Sequence, residues 1–202
     1  MTAEVALQLV ANEGNLYANY EQLVGGGSRV PAKFENDSHR LAVVGSLFGS
    51  YGEKLRYGVL SLTKNGLPTY GEIFCRLKPI TIDTRVSFLE WNSYRFASEK
   101  KPSATDQFPP GYRADWERRS VLAAVKLGTQ LQCGQTEKDW EGMLVVSDGK
   151  NRTLDDFIEA HIYEGFNVFS IEAMTAAANI LRGRRTLVRA VITKFEKMQA
   201  RS

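Results

Sequence analysis

The chain has 202 residues, 43% of them hydrophobic and 24% charged, close to the averages of soluble globular proteins, which excludes disordered and fibrous classes. That length suits one domain with a sizeable core better than two small ones, so a single domain over 1–202 is expected. The formal charge of +3 is too small to imply nucleic acid by itself, the uncharged stretch 41–52 falls far short of a membrane span, and the first ten residues lack an export-signal pattern.

Residues 1–50 read as helical. Leu16, Tyr17, Tyr20, Leu23 and Val24 form one apolar stripe, which Gly25-Gly26-Gly27 stops. Asp37 or Ser38 is placed to cap a second helix carrying Leu41, Val44, Leu47 and Phe48. The glycine run has no GK[ST] ending and follows a helix, so it reads as a hinge and not as a phosphate loop. From Arg56 the pattern changes: Tyr57–Leu62, Glu72–Leu77 and Arg85–Leu89 are short, β-prone segments bounded by turn residues.

Residues 97–115 are rich in proline and charge and read as a surface loop or lid. Trp116–Leu127 is expected to be a helix with Trp116, Val121, Ala124 and Val125 inward. Met143–Val146 and Phe157–Tyr163 read as strands joined by the turn segment 147–152. Leu187, Val188, Val191, Ile192 and Phe195 mark a last amphipathic helix with a basic outer face. Cys75 and Cys133 have no metal-like spacing, so two buried reduced thiols and no metal are expected. Helices at both ends with strands between them indicate an α+β fold.

Three segments carry chemistry. Leu55-Arg56-Tyr57-Gly58-Val59 sets an arginine at a strand start. Tyr70-Gly71-Glu72, Leu77-Lys78-Pro79 and Arg85-Val86-Ser87-Phe88-Leu89-Glu90-Trp91-Asn92-Ser93 form the second. The third is Phe157-Ile158-Glu159-Ala160-His161-Ile162-Tyr163-Glu164-Gly165. Here Glu159 interrupts an apolar run, which makes it either a solvent-facing carboxylate or one set in a cleft.

In this order the segments resemble bacterial ADP-ribosyltransferase toxin and effector domains, over about residues 50 to 175. The resemblance implies a split β-sandwich flanked by N- and C-terminal helices, with a helical N-terminal region over 1–50, an NAD-binding sheet core over 55–165 and C-terminal helices over 170–202. It implies a mono-ADP-ribosyltransferase that cleaves the nicotinamide-ribose bond of NAD and passes ADP-ribose to a macromolecule. Its arginine, serine and glutamate map onto Arg56, Ser87 or Ser93, and Glu159.

These residue types suit the reaction. A guanidinium fork holds pyrophosphate oxygens, so Arg56 would fix the dinucleotide, with Tyr57, Gly58, Phe88, Trp91 and Tyr94 supplying the strand backbone and an aromatic wall. A carboxylate facing the growing positive charge of the ribose lowers the barrier, the role given to Glu159, with a serine to position it. Phe157 stands where arginine-modifying members carry a second Glu or Gln, so a hydroxyl side chain, a nucleic acid or water gains weight as acceptor. Asp148, Asn151 and Arg152 are then acceptor-contact candidates. His161 and Tyr163 depart from the family pattern, and Glu164 is the reserve glutamate if the register shifts. His39 is the only upstream histidine for the diphtheria-like variant of the site.

The resemblance also implies a secreted effector or toxin acting as a monomer, with NAD and a protein of a target cell as partners, a nucleic-acid acceptor being less favoured and no membrane involved. An NAD glycohydrolase and a non-catalytic module that docks through its basic C-terminal helix are the alternatives.

Overall fold

Clusters of β-branched and aromatic residues between polar turns set where strands form, and helices take the amphipathic stretches around them. The computed structural model describes residues 1–27, 42–63, 65–101 and 110–201. These run α1 (Ala3–Leu9), α2 (Tyr20–Gly25), α3 (42–48), β1 (Leu55–Val59), β2 (Ile73–Leu77), β3 (Val86–Leu89), α4 (Ser93–Lys100) and β4 (Arg113–Asp115). Then follow α5 (Arg119–Leu127), α6 (Glu137–Leu144), β5 (Val145–Val146), β6 (Asp156–Phe157), β7 (Glu159–Tyr163), β8 (Ile171–Ala176) and α7 (Arg185–Gln199). The strands form three antiparallel sheets: β1-β7-β3-β4, β2-β8 and β5-β6. Mixed helices and antiparallel sheets make this an α+β fold.

β7 lies inside the main sheet, and its alternation sorts residues between two cores. Ala160 and Ile162 pack with Phe88, Val86, Leu122, Leu127 and Leu144 on one face. The opposite face meets Val43, Leu47, Phe48, Leu55, Leu89 and Phe96, supplied by α3, β1, β3 and α4. A third core joins α1, β2, β8 and α7 through Ala6, Leu9, Ile73, Ile171, Val191 and Phe195. Each fully buried aliphatic or aromatic side chain of this kind contributes about 1.5–3 kcal/mol.

Several elements differ from expectation for identifiable reasons. The helix of the Leu16 stripe starts only at Tyr20, because Asn19 caps it: its side chain accepts from Gln22 N at 2.9 Å, and Gln22 Oε1 accepts from Asn19 N at 3.2 Å. Tyr17 is instead drawn to the distant Phe166, its N–H donating to the Phe166 carbonyl at 2.7 Å and its ring stacking at 4.9 Å. Asp37, Ser38, His39 and Leu41 lie outside the described residues.

The expected loop 97–115 is partly ordered, with α4 running to Lys100 and β4 formed by Arg113–Asp115. In α5 the inward residues are Leu122 and Leu127, while Val121 and Val125 face solvent. Cys133, expected to be a buried thiol, is exposed in the turn between α5 and α6. Met143 and Leu144 belong to α6, started by a Thr136/Asp139 capping box, so the strand keeps only Val145–Val146. The region from 170 opens with β8, which pairs with β2, and turns helical only at α7.

Candidate active site

Residues directly opposite one another in an antiparallel pair present their side chains on the same face. The register therefore draws rows across the main sheet. One row is Val59, Glu159, Leu89 and Arg113 on β1, β7, β3 and β4; the next is Tyr57, His161, Ser87 and Asp115. Glu159 and Arg113 thus share a face two strands apart, about 10 Å between their backbones.

Glu159 is 8% exposed and held on one oxygen. Its Oε2 accepts from the backbone N–H of Ser93 at 2.7 Å and, in a shorter contact, from the Ser93 hydroxyl. His161 Nε2 lies 2.9 Å from the same oxygen and 3.2 Å from Ser93 Oγ. Among the described residues Oε1 makes no hydrogen bond.

The local sequence explains this grip. Asn92 caps α4 by accepting from Arg95 N at 2.8 Å, which sets Ser93 as the first helical residue with its N–H turned outward. The carboxylate then sits at the start of the helix, where an anion is favoured. His161 is wedged between two rings, with Phe48 at 4.5 Å and Tyr57 at 5.5 Å between centroids.

Nδ1 of His161 is buried with no partner among the described residues, so we assign the ring proton to Nε2, where it donates to Glu159. Ser93 Oγ and Glu159 both reach the same ring nitrogen, so the imidazole does not stand between nucleophile and acid. A serine-hydrolase triad is excluded by this geometry.

Beyond His161 opens a groove of about 490 Å³ whose lining includes Phe48, Tyr51, Arg85, Ser87, Arg113 and His161. Arg113 donates to Ser87 Oγ at 3.2 Å and lies 5.5 Å above the Phe48 ring. Burial pushes its pKa down from the ordinary value. Arg85 reaches the carbonyls of Thr81 at 2.8 Å and Gly165 at 3.2 Å, and that of Tyr163 in a closer contact.

The other expected site residues are distributed unevenly. Ser93 and Glu159 are brought together. Ser87 stands opposite His161, one row away, and meets Arg113. Tyr57 borders His161, and Trp91 and Tyr94 flank Ser93 in the chain. Trp91 is half-buried against Phe96 and Tyr112, and Tyr94 is exposed.

Arg56 is not with Glu159. It stands opposite Ile162 on the far face of the sheet and is only 4% exposed. Its guanidinium donates to the carbonyls of Tyr17 at 2.9 Å and of Lys54 and Leu55 at 3.1 Å each, and to Gln22 Oε1 at 2.9 Å. Phe88 is likewise turned into the core beneath Ala160, and Gly58 lies opposite Ala160 on that face.

Phe157 is 2% exposed, which removes it from contact with an acceptor. In the hairpin ahead of Glu159, Asp148 accepts from the backbone of Lys150 and Asn151 at 2.8 Å each, and these bonds lower its pKa. Arg152 donates to the Thr69 carbonyl at 2.8 Å and covers the Tyr70 ring at 4.7 Å. Glu164 turns away at the strand end with φ 63°, its N–H bonded to the Lys54 carbonyl at 2.9 Å.

Sequence reasoning passed over Arg113 because a three-residue strand shows no period, and over the role of His161 because its partners lie on another segment. Among the described residues no helix is long and apolar enough to cross a membrane. No protein-family model, curated protein or solved structure matches this chain.

Proposed function

We propose that the protein cleaves the nicotinamide-ribose bond of NAD at Glu159 and transfers ADP-ribose to a macromolecular acceptor. The observation that carries this reading is the Glu159 carboxylate itself. One oxygen is fixed by Ser93 and His161 while the other makes no hydrogen bond among the described residues, on a segment that resembles the glutamate strand of ADP-ribosyltransferases. The main sheet beside the separate β2-β8 pair supports the split-sheet architecture of that class.

In the reaction the bond between ribose C1′ and the nicotinamide nitrogen breaks, and its electron pair leaves with nicotinamide. Positive charge grows on the ribose, and the second oxygen of Glu159 stabilises it and hydrogen-bonds a ribose hydroxyl. An acceptor oxygen then bonds to C1′ as its O–H bond breaks and the proton passes to solvent. Ser93 is a positioning residue that keeps the carboxylate turned to the ribose. Arg56 takes no part in this chemistry; it ties the N-terminal segment to β1.

The burial of Phe157 favours a second reading of the same site, in which water is the acceptor and NAD is hydrolysed. Incubation with labelled NAD and a target-cell lysate decides between them. A labelled macromolecule marks transfer to a protein or, less favoured, a nucleic acid, and free ADP-ribose alone marks hydrolysis. Glu159→Gln is expected to lower either product at least about 100-fold with the fold intact by circular dichroism. Undiminished NAD cleavage by that variant would reject the site.

A further inference from the structure

The cations of this chain are gathered on one element. Residues 182–201 hold seven of the 26 Lys and Arg and one of the 23 Asp and Glu, so this stretch is +6 while all other residues together are −3. Arg182, Arg185, Arg189, Lys194, Lys197 and Arg201 are exposed on or beside α7, and among the described residues none of them forms an ion pair. Arg185 reaches the Ile180 carbonyl and Lys194 the Ala11 carbonyl, each at 3.4 Å, and neither contact cancels the charge. The seventh cation, Arg184, is neutralised by Glu4 and Glu72.

This arrangement works against the helix. Like charges three or four residues apart repel, as in Arg182 with Arg185, Arg185 with Arg189, Lys194 with Lys197 and Lys197 with Arg201. The first turn carries no acid and no side chain caps it, so the positive end of the helix dipole lies beside Arg182 and Arg185 instead of facing an anion. A bound polyanion relieves both penalties at once.

With 3.6 residues per turn, Arg185 and Arg189 fall on one side of the exposed face, Lys194 and Arg201 on the other, and Lys197 between them with Thr186, Ala190 and Thr193. The apolar side, Val188, Val191, Phe195 and Met198, is packed in the third core, so none of it is left to sink into a membrane. Protein interfaces centre on buried aromatic and apolar anchors and are poor in lysine, whereas the track between these cations offers only small side chains. A nucleic-acid backbone needs neither anchor nor insertion. Lysine, arginine and threonine side chains hold its phosphates, and small residues let it come close.

We infer that the outer face of α7 binds the phosphodiester backbone of nucleic acid without reading its sequence. The 15 residues of α7 run about 22 Å, long enough to follow several phosphates. The net charge of +3 understates this face because the acidic excess elsewhere offsets it. The inference goes beyond the NAD reading and does not rest on it: α7 belongs to the third core, whereas Glu159, Ser93 and His161 hold one another at the main sheet.

The test is fluorescence anisotropy of the full chain with two labelled DNA duplexes of unrelated sequence, at salt from about 50 to 200 mM. Both are expected to bind alike and to weaken as salt rises. Arg189→Gln together with Lys197→Gln is expected to weaken binding by at least about tenfold and to flatten the slope of log affinity against log salt by about 2. Lys138→Gln together with Lys150→Gln removes the same charge from exposed positions elsewhere and should change affinity by less than about twofold. Equal losses from the two double variants, with unchanged melting temperatures, would overturn the assignment, since whole-chain charge alone would then account for binding. So would no duplex binding at the lowest salt, or a marked preference for one duplex. Tighter binding to polyglutamate or to phosphatidylserine vesicles than to DNA would overturn it too, making the partner an acidic protein or a membrane.

Discussion

A carboxylate with one oxygen bound three ways, and the other without a hydrogen bond among the described residues, is set in direction before any substrate arrives. In Ser93→Ala the backbone N–H of residue 93 and His161 still hold Glu159, so only one charge-assisted bond is lost. NAD turnover should therefore fall about tenfold, well short of the effect of Glu159→Gln, and initial-rate kinetics at saturating NAD measure the difference. Arg56 behaves differently. Arg56→Met takes the guanidinium donor from the Tyr17 carbonyl in a buried place, while the Lys54 and Leu55 carbonyls keep the Glu164 N–H and the Asn19 Nδ2, so stability should drop by about 1–3 kcal/mol in urea denaturation. A midpoint equal to the wild type would show that these bonds carry no weight. The contrast shows how much of the site was legible. Glu159 broke an apolar run and drew notice by itself. Whether Arg56 shares its face depends on the register of β1 against a strand a hundred residues away, and Leu55-Arg56-Tyr57-Gly58-Val59 has no alternation that would tell its two faces apart.

Among the elements, α5 shows why a stripe can be read on the wrong side. Val121, Ala124 and Val125 make one helical face and Leu122, Ala123 and Leu127 another, and tertiary packing against Phe88 and Ile158 selects the second. Leu122→Ala is expected to lower stability by about 2–5 kcal/mol, whereas Val125→Ala should stay within about 0.5 kcal/mol of wild type. Thermal and urea unfolding of the two variants checks this, and comparable losses would place Val125 against a partner. α7 was easier, since Val188, Val191 and Phe195 supply one unambiguous stripe that reaches the core. β8 was hidden for the opposite reason: Ile171-Glu172-Ala173-Met174-Thr175-Ala176 suits a helix by composition, and its pairing with β2 supplies the strand.

At the scale of the whole molecule, the ends of the described chain are fastened together across the third core. Arg184, just before α7, bridges Glu4 of α1 at 2.7 and 2.8 Å and also contacts Glu72 at the entrance to β2, while Glu72 accepts from Ala3 N at 3.2 Å. The Arg184 guanidinium is the main cause that lowers the Glu4 pKa from 4.5 to about 2. A carboxylate whose folded pKa is depressed adds stability above its unfolded pKa, and that stability fades as pH falls from about 4.5 toward about 2. The Glu4 side chain is more than half exposed, so solvent screening limits the effect to at most about 1 kcal/mol. Melting temperatures of the wild type and Glu4→Gln should accordingly differ at neutral pH and converge in acid, and added salt should narrow the neutral gap. A gap that persists unchanged at the acid end would mean that the Glu4 charge is not its source, and would reject the Glu4–Arg184 ion pair as a contributor to the tie between α1 and α7.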